Sequence, residues 1–321
     1  MRRAFWAAIG VSLISMVFVA CEKEKEEKED PTYLVQVTAA EGGIVEGQSG
    51  EYKERQTVVF KAIPDDGYFF SQWSDGKTDN PRTINVGKAD ITITAEFGFV
   101  TISGDLGLES GTIWATCNVG AANPWDYGDY YAWGETQTKD DYSWETYKYC
   151  KGSNETLTKY CYDLGYGDYG FTDTIFNLEA TDNVATAVLG GGWTIPTNEE
   201  WTELGNQCYW VWTYNYNGTN VAGYIVYKAK SAGDKGGKIY ADDISSASYS
   251  LSDAHIFMPA AGVFIRTNLY NVDTIGRYWS SSLYECYPYY AYDCAFFSSY
   301  IRPSENDYRY QGYSVRPIKR P

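Results

Sequence analysis

Along most of this chain apolar residues alternate with polar ones over short runs instead of recurring every three or four positions, a pattern that predicts strands and few helices. From Tyr33 to Phe97 the runs YLVQVTA, TVVFKAI, YFFSQW, RTINV and DITITAEF are β-rich, and EGG, PDDG, SDGKTDNP and GKAD punctuate them as turns. Little in this stretch has a helical period. It predicts a small all-β or β-grasp-like module of about 65 residues, with Trp73 lying in its core beside Phe69 and Phe70. From Val100 onward glycine or proline falls every few residues, which predicts short elements and long loops. Two helices stand out there. Thr181 to Ala187 leads into the Gly190-Gly191-Gly192 stop, and Thr197-Asn198-Glu199-Glu200 is a capping box opening a helix that carries Trp201, Leu204 and Cys208. The strand-like GYIVYKA, HIFMPAAGVF and RYWSSS follow, so the second domain is expected to be α+β.

The pattern at the N-terminus is different. Arg2 and Arg3 precede an uncharged, apolar run from Ala4 to Ala20, and Cys21 follows. A run of this length sits at the short limit for a membrane-spanning helix, and small residues precede the cysteine, so residues 1–20 are expected to be a cleaved signal peptide. Residues 22–30 (EKEKEEKED) are charged without interruption and cannot bury apolar area, which makes 21–31 a solvated tether. Phe18-Val19-Ala20-Cys21 resembles a bacterial lipobox, which implies lipidation of Cys21 and a membrane held through its acyl chains. The acidic run after it resembles the signal that sends Bacteroidetes lipoproteins to the outside of the outer membrane, so the expected location is the outer membrane at the cell surface.

Composition sharpens the picture in one place. Between Tyr278 and Tyr313 lie ten of the chain's 31 tyrosines, interspersed with Ser, Asp, Asn and Gly. A core strand would favour Val, Ile and Leu, whereas tyrosine offers a rigid ring with a polar tip and Ser and Asn adapt their hydrogen bonds, the mixture of antibody paratopes. Tyr284, Tyr287, Tyr289, Tyr290, Tyr292, Tyr300, Tyr308 and Tyr310 are therefore the candidate ligand-binding residues. Strict alternation from Tyr290 to Ser298 gives neither face a clean apolar character, which predicts a bulge or an irregular strand.

The formal charge is −16, and it becomes −18 once Arg2 and Arg3 are removed, which makes nucleic acid an unlikely partner in favour of a protein or glycan ligand. Six cysteines follow Cys21, close in sequence as Cys150 with Cys161 and Cys286 with Cys294, and their spacing fits no zinc finger. His255 is the one histidine and has no nucleophile signature nearby. Asp163, Asp168 and Asp173 sit in a Gly/Tyr-rich loop whose spacing matches no EF-hand, so a solvated loop is the default over calcium. No catalytic residue, no metal site and no cofactor is implied, and an enzyme is not expected.

Three resemblances carry further expectations. Ala40-Glu41-Gly42-Gly43, Pro64 to Phe70 (PDDGYFF), Trp73-Ser74-Asp75-Gly76, Asn80-Pro81-Arg82 and Ile91 to Phe97 (ITITAEF) are similar in content and order to the divergent B-repeat of the internalins, which implies a stalk or spacer module over 32–98. Asp105 to Ala121 (DLGLESGTIWATCNVGA), Tyr127 to Glu135 (YGDYYAWGE), Gly191 to Thr197 (GGWTIPT), Pro259-Ala260-Ala261-Gly262, Tyr278 to Ser282 (YWSSS) and Gly312 to Pro317 (GYSVRP) resemble the Fibrobacter succinogenes major paralogous domain. That implies a C-type-lectin-like domain over 99–321. The closing WSSS, tyrosine-rich run and GYSVRP also resemble the variable region of retroelement-diversified proteins, in which a lectin-like scaffold displays changing side chains for recognition. The resulting expectation is a surface lipoprotein that binds an unidentified protein or glycan through its C-terminal face. The alternative is an envelope structural protein with no dedicated ligand.

Overall fold

Alternation does decide the first module. The structure is a computed structural model that describes residues 30–65, 68–99, 103–190, 192–241 and 248–321; the expected signal peptide, Cys21 and most of the expected tether lie outside the described residues. Among the described residues, 32–99 contain seven strands: β1 (Thr32–Ala39), β2 (Gly43–Glu46), β3 (Gly50–Lys53), β4 (Thr57–Pro64), β5 (Tyr68–Trp73), β6 (Arg82–Asn85) and β7 (Ile91–Phe99). They form a sheet ordered β3-β1-β7-β5 and a second ordered β2-β4-β6. Every pairing is antiparallel except β1 with β7, which run parallel from Val35↔Ile91 to Ala39↔Ala95. The inward positions Val35, Phe60, Ala62, Trp73, Ile84, Ile93 and Ala95 make the core. Trp73 is fully buried there, its indole donating to the Asp79 carbonyl at 2.8 Å, as the sequence predicts. Arg82 grips Asp75 through both guanidinium nitrogens at 2.5 and 2.6 Å and lies over the Trp73 ring. The strands β2 and β3 were not expected; each is four residues long, and glycines begin both.

The second part begins with β8 (Ile113–Trp114) and then runs some seventy residues, through about 183, with short 3-10 turns as its regular structure. There follow α1 (Val184–Leu189), β9 (Trp193–Thr194), α2 (Asn198–Gln207), β10 (Cys208–Thr213), β11 (Gly223–Lys228), β12 (Lys238–Ile239), β13 (His255–Pro259), β14 (Val263–Ile265) and β15 (Asn268–Tyr270). The chain closes with β16 (Ile275–Leu283), β17 (Tyr290–Phe297), β18 (Tyr300–Tyr308) and β19 (Ile318–Lys319). The sheets are β12-β10-β11-β13, β16-β17-β18, β8-β19-β9 and the β14-β15 hairpin, so the fold is α+β with strand dominating.

Helix α2 starts where the capping box places it: the Thr197 hydroxyl accepts from Glu200 N, and the Glu200 carboxylate accepts from Thr197 N at 2.7 Å. It ends a residue earlier than expected. Cys208 is the first residue of β10, whose sequence CYWVWT pairs along its whole length with β11 and is buried on both faces. Asn183 caps α1 by accepting from Thr186 N.

Three aromatic-rich cores fill this part, the smallest made of Val211, Tyr216, Ile225, Tyr227, Tyr249 and Phe257. Trp201, Trp210, Trp212, Tyr224, Met258, Tyr278, Cys294 and Phe296 pack between α2 and the sheets, and Trp133, Tyr142, Tyr147, Tyr160, Trp279, Leu283, Ala291 and Tyr313 pack beneath the long loop. The loop is tied down by isolated bridges such as Tyr131↔Tyr313 and Tyr142↔Arg266, and ring donors add further bonds between it and β16. Trp133 Nε1 donates to Ser280 O and Trp279 Nε1 to Tyr131 O, both at 2.8 Å, while Tyr147 Oη donates to Trp133 O at 2.8 Å. Buried Arg316 closes the chain in the same manner, donating to Asn118 Oδ1 and to the carbonyls of Ala115 and Phe257. All six described cysteines are free thiols; Cys161, Cys208 and Cys294 are buried, and neither neighbouring pair is bridged.

Candidate functional site

Seven of the eight candidate tyrosines occupy the end of the molecule where β16 hands over to β17 and β18 ends. Tyr290 and Tyr308 face each other across β17 and β18. At this end the strand alternates cleanly: Ala291 and Asp293 are buried, and Tyr290 and Tyr292 stay half-exposed. Beyond it the register shifts between Asp293 and Ala295, and from there to Phe296 every residue is buried. The irregularity expected from the mixed faces is thus a bulge that changes which side chains turn inward.

The ten tyrosines divide sharply. Tyr278 and Tyr313 are core residues, 0 % and 1 % exposed. The eight candidates are all accessible: Tyr287 is exposed at 45 % and the rest are half-buried. Seven of the eight form one network of touching rings. Tyr287 stacks on Tyr289 at 5.4 Å, Tyr289 meets Tyr290 at 4.6 Å, Tyr290 meets Tyr308 at 4.7 Å, and Tyr308 stacks on Tyr310 at 5.6 Å. Tyr284 joins it edge-on to both Tyr290 and Tyr292. Tyr300 does not. It sits at the far turn of the β17-β18 hairpin against Phe297, with Arg302 over its ring. Composition alone does not place it at the opposite end of the hairpin, since that depends on where the chain reverses.

Three contributors were missed. Trp144 packs edge-on against Tyr310 at 5.0 Å, and Tyr166 against Tyr289 at 5.0 Å, extending the network at both ends from the long loop. Tyr162 donates to the Tyr284 carbonyl at 3.2 Å and stacks on Phe176. Leu164, Tyr169, Phe171 and Phe176 of the same segment are exposed, so the aromatic surface continues onto residues 162–176. The signal was present in YDLGYGDYGFTD, which has the same Tyr, Gly and Asp composition as the C-terminal block. Its aspartates do not stand out as a cation site. Asp173 accepts from the amides of Tyr160 and Cys161, Asp163 accepts from Gly165 N, and Asp168 pairs with Lys151 at 2.7 Å.

A buried arginine holds the two halves of this surface together. Arg309 donates from Nη1 to Pro288 O at 2.6 Å and Tyr160 O at 2.9 Å, from Nη2 to Lys159 O at 3.1 Å, and from Nε to Tyr147 Oη at 2.9 Å. One guanidinium therefore ties the Tyr287–Tyr290 turn to the long loop, with the ring of Trp133 over its face. Deeper still, Arg277 bonds the wholly buried Asp293 carboxylate at 2.9 Å and reaches Asp307 at 3.3 Å; Tyr313 Oη and Gln311 Nε2 also donate to Asp307. Burial pushes the Asp293 carboxyl up to about 7, against the pull of Arg277.

Three of the surface hydroxyls are held in their neutral, donating form. The Tyr308 hydroxyl beside it and then burial raise Tyr290, burial and the neighbouring Tyr166 raise Tyr289, and burial with Glu285 raises Tyr292 to about 12. His255 lies elsewhere and fully buried, its Nδ1–H directed at Asp253 O at 2.8 Å and Nε2 accepting from Tyr216 Oη at 2.9 Å.

Residues 33–100 match the family described as the divergent InlB B-repeat domain, in agreement with the expected first module. Residues 203–318, which include β10 to β18 and the whole tyrosine-rich block, match a domain of unknown function, DUF8237. No curated protein and no solved structure matches the chain.

Proposed function

We propose that this chain is a cell-surface lipoprotein that recognises an extracellular protein or glycan through the tyrosine surface at the open end of β17 and β18. One observation carries the reading: of ten tyrosines in the block, the eight singled out keep their rings accessible, and seven of them touch one another in a single patch. Rigid rings already fixed by packing lose little freedom on binding, and their hydroxyls orient a ligand. On this reading Cys21 carries the acyl anchor at the outer membrane, residues 22–31 are the tether, the B-repeat module is the spacer, and residues 99–321 are a C-type-lectin-like head of the major paralogous type. Support for the anchor comes from the run ending in Phe18-Val19-Ala20-Cys21, and for the head from the ordered motifs between Asp105 and Pro317.

The test uses a glycan and protein array followed by titration of any hit. Tyr287→Ala combined with Tyr289→Ala is expected to lower affinity at least about tenfold, with the melting temperature within about 2 °C of the parent, because neither ring is in the core. A loss of about 8 °C or more with unchanged binding would show that the rings are packing, and the envelope structural role would then stand.

A further inference from the structure

We propose that the ligand of this surface is a basic protein, docked by arginine side chains lying on the tyrosine rings and paired with acids at the rim; this rests on the reading above. The first support lies in how this molecule treats its other tyrosines. A cation sits over the ring of Tyr149 at 4.7 Å, of Tyr160 at 4.9 Å, of Tyr249 at 4.4 Å and of Tyr300 at 4.9 Å. Among the described residues no cation covers Tyr284, Tyr287, Tyr289, Tyr290, Tyr292, Tyr308 or Tyr310. These rings lie against one another and each keeps part of its surface accessible, and an accessible aromatic face attracts a guanidinium.

The second support is the charge at the rim. Glu285 is exposed and accepts from Tyr292 Oη at 3.2 Å; Asp163 is exposed and accepts from Gly165 N. Both lie close enough to Tyr162 to raise it, after the effect of burial. Neither has a cationic partner among the described residues. The nearby Lys151 is already answered, pairing with Asp168 at 2.7 Å. The patch thus offers two unanswered carboxylates beside uncovered rings, on a chain of formal charge −16. That field favours and steers a positively charged partner and repels an acidic one. Arginine suits it better than lysine, because its planar, weakly hydrated head stacks on a ring while bonding a carboxylate in two places.

The test takes the full chain and three labelled peptides, deca-arginine, deca-lysine and deca-glutamate, with Kd read by fluorescence anisotropy at about 50 and about 500 mM salt. Deca-arginine is expected to bind several-fold more tightly than deca-lysine and to weaken at least about tenfold at the higher salt. Glu285→Gln with Asp163→Asn keeps the local hydrogen bonds and removes the charge; it is expected to weaken binding about tenfold. Glu41→Gln with Glu46→Gln makes the same change in net charge on the first module and is expected to leave Kd within about twofold. Equal effects of the two pairs would overturn the proposal, since binding would then follow net charge and not this rim. So would binding of deca-glutamate, or capture of a neutral glycan whose Kd ignores both salt and the rim variants. If Tyr287→Ala with Tyr289→Ala still abolishes that glycan binding, the recognition surface stands and only the basic partner falls; if it does not, both fall.

Discussion

His255 shows at the scale of one residue how this protein responds to pH. Burial holds its imidazole down, at about 4, against the opposing pull of Asp253, compared with about 6.5 in an unfolded chain. The unfolded state therefore binds the extra proton between those values, and stability falls as pH drops through that window. From pH 7.5 to 5 the residue is expected to withdraw about 2 kcal/mol. Asp293 acts with the opposite sign, because its folded carboxyl is raised to about 7: its contribution is full below about 4 and fades as pH rises toward 7. The two partly cancel in the parent protein. Urea unfolding of the parent and of His255→Gln at pH 7.5 and 5 separates them, and the parent is expected to lose about 2 kcal/mol more than the variant over that interval. Equal losses would mean that the imidazole is charged in the fold.

At the scale of elements, Gly205 in α2 looks misplaced, since glycine in a helix interior costs about 1 kcal/mol relative to alanine. Its reason is the neighbouring strand. A Cβ on Gly205 would lie 2.5 Å from Pro303 Cγ of β18, and the proline ring has little freedom to withdraw. Gly205→Ala is therefore expected to destabilise by about 1–3 kcal/mol despite the better helix propensity, read as a lower urea midpoint with an unchanged slope. A gain would show that α2 slides freely on the sheet. The same contact marks what the sequence could and could not reveal about this fold. Elements specified by neighbours in sequence were legible: the Thr197–Glu200 capping box, the alternating strands β1, β4 and β7, and Trp73 as core. Elements specified by distant partners were not. β10 is apolar on both faces, so no period separates it from the end of α2, and Cys208, which the helical spacing puts in α2, belongs to the strand. The tyrosine surface was legible in composition, because hydroxyl-bearing rings make poor core strands. Its neighbours Trp144 and Tyr166 were not, because they reach it from a loop more than a hundred residues earlier, held there by Arg309.

At the scale of the whole molecule, two bodies of core are built from separate stretches of chain. The core of the B-repeat module draws its residues from β1 to β7 and their connections, and the aromatic cores of the second part draw theirs from Leu106 onward. Between them Asn217 Nδ2 donates to Tyr68 O at 2.8 Å, beside a cleft of about 600 Å³ lined by Phe69, Phe70, Asn215, Asn220 and Leu251. The two sets of core residues share no member, so each core is packed within itself and the junction couples them weakly. Unfolding is accordingly expected to be two events. Calorimetry should resolve an endotherm of about 50 kcal/mol for residues 32–99 and one of about 150 kcal/mol for the remainder, at roughly 0.7 kcal/mol per residue near 60 °C. Any ligand of the tyrosine surface should raise the larger transition and leave the smaller one in place, because the rings belong wholly to the second part. One transition carrying the summed enthalpy, or a ligand that shifts both together, would mean that residues 32–99 and the second part unfold as a unit, the first module then being structurally part of the second.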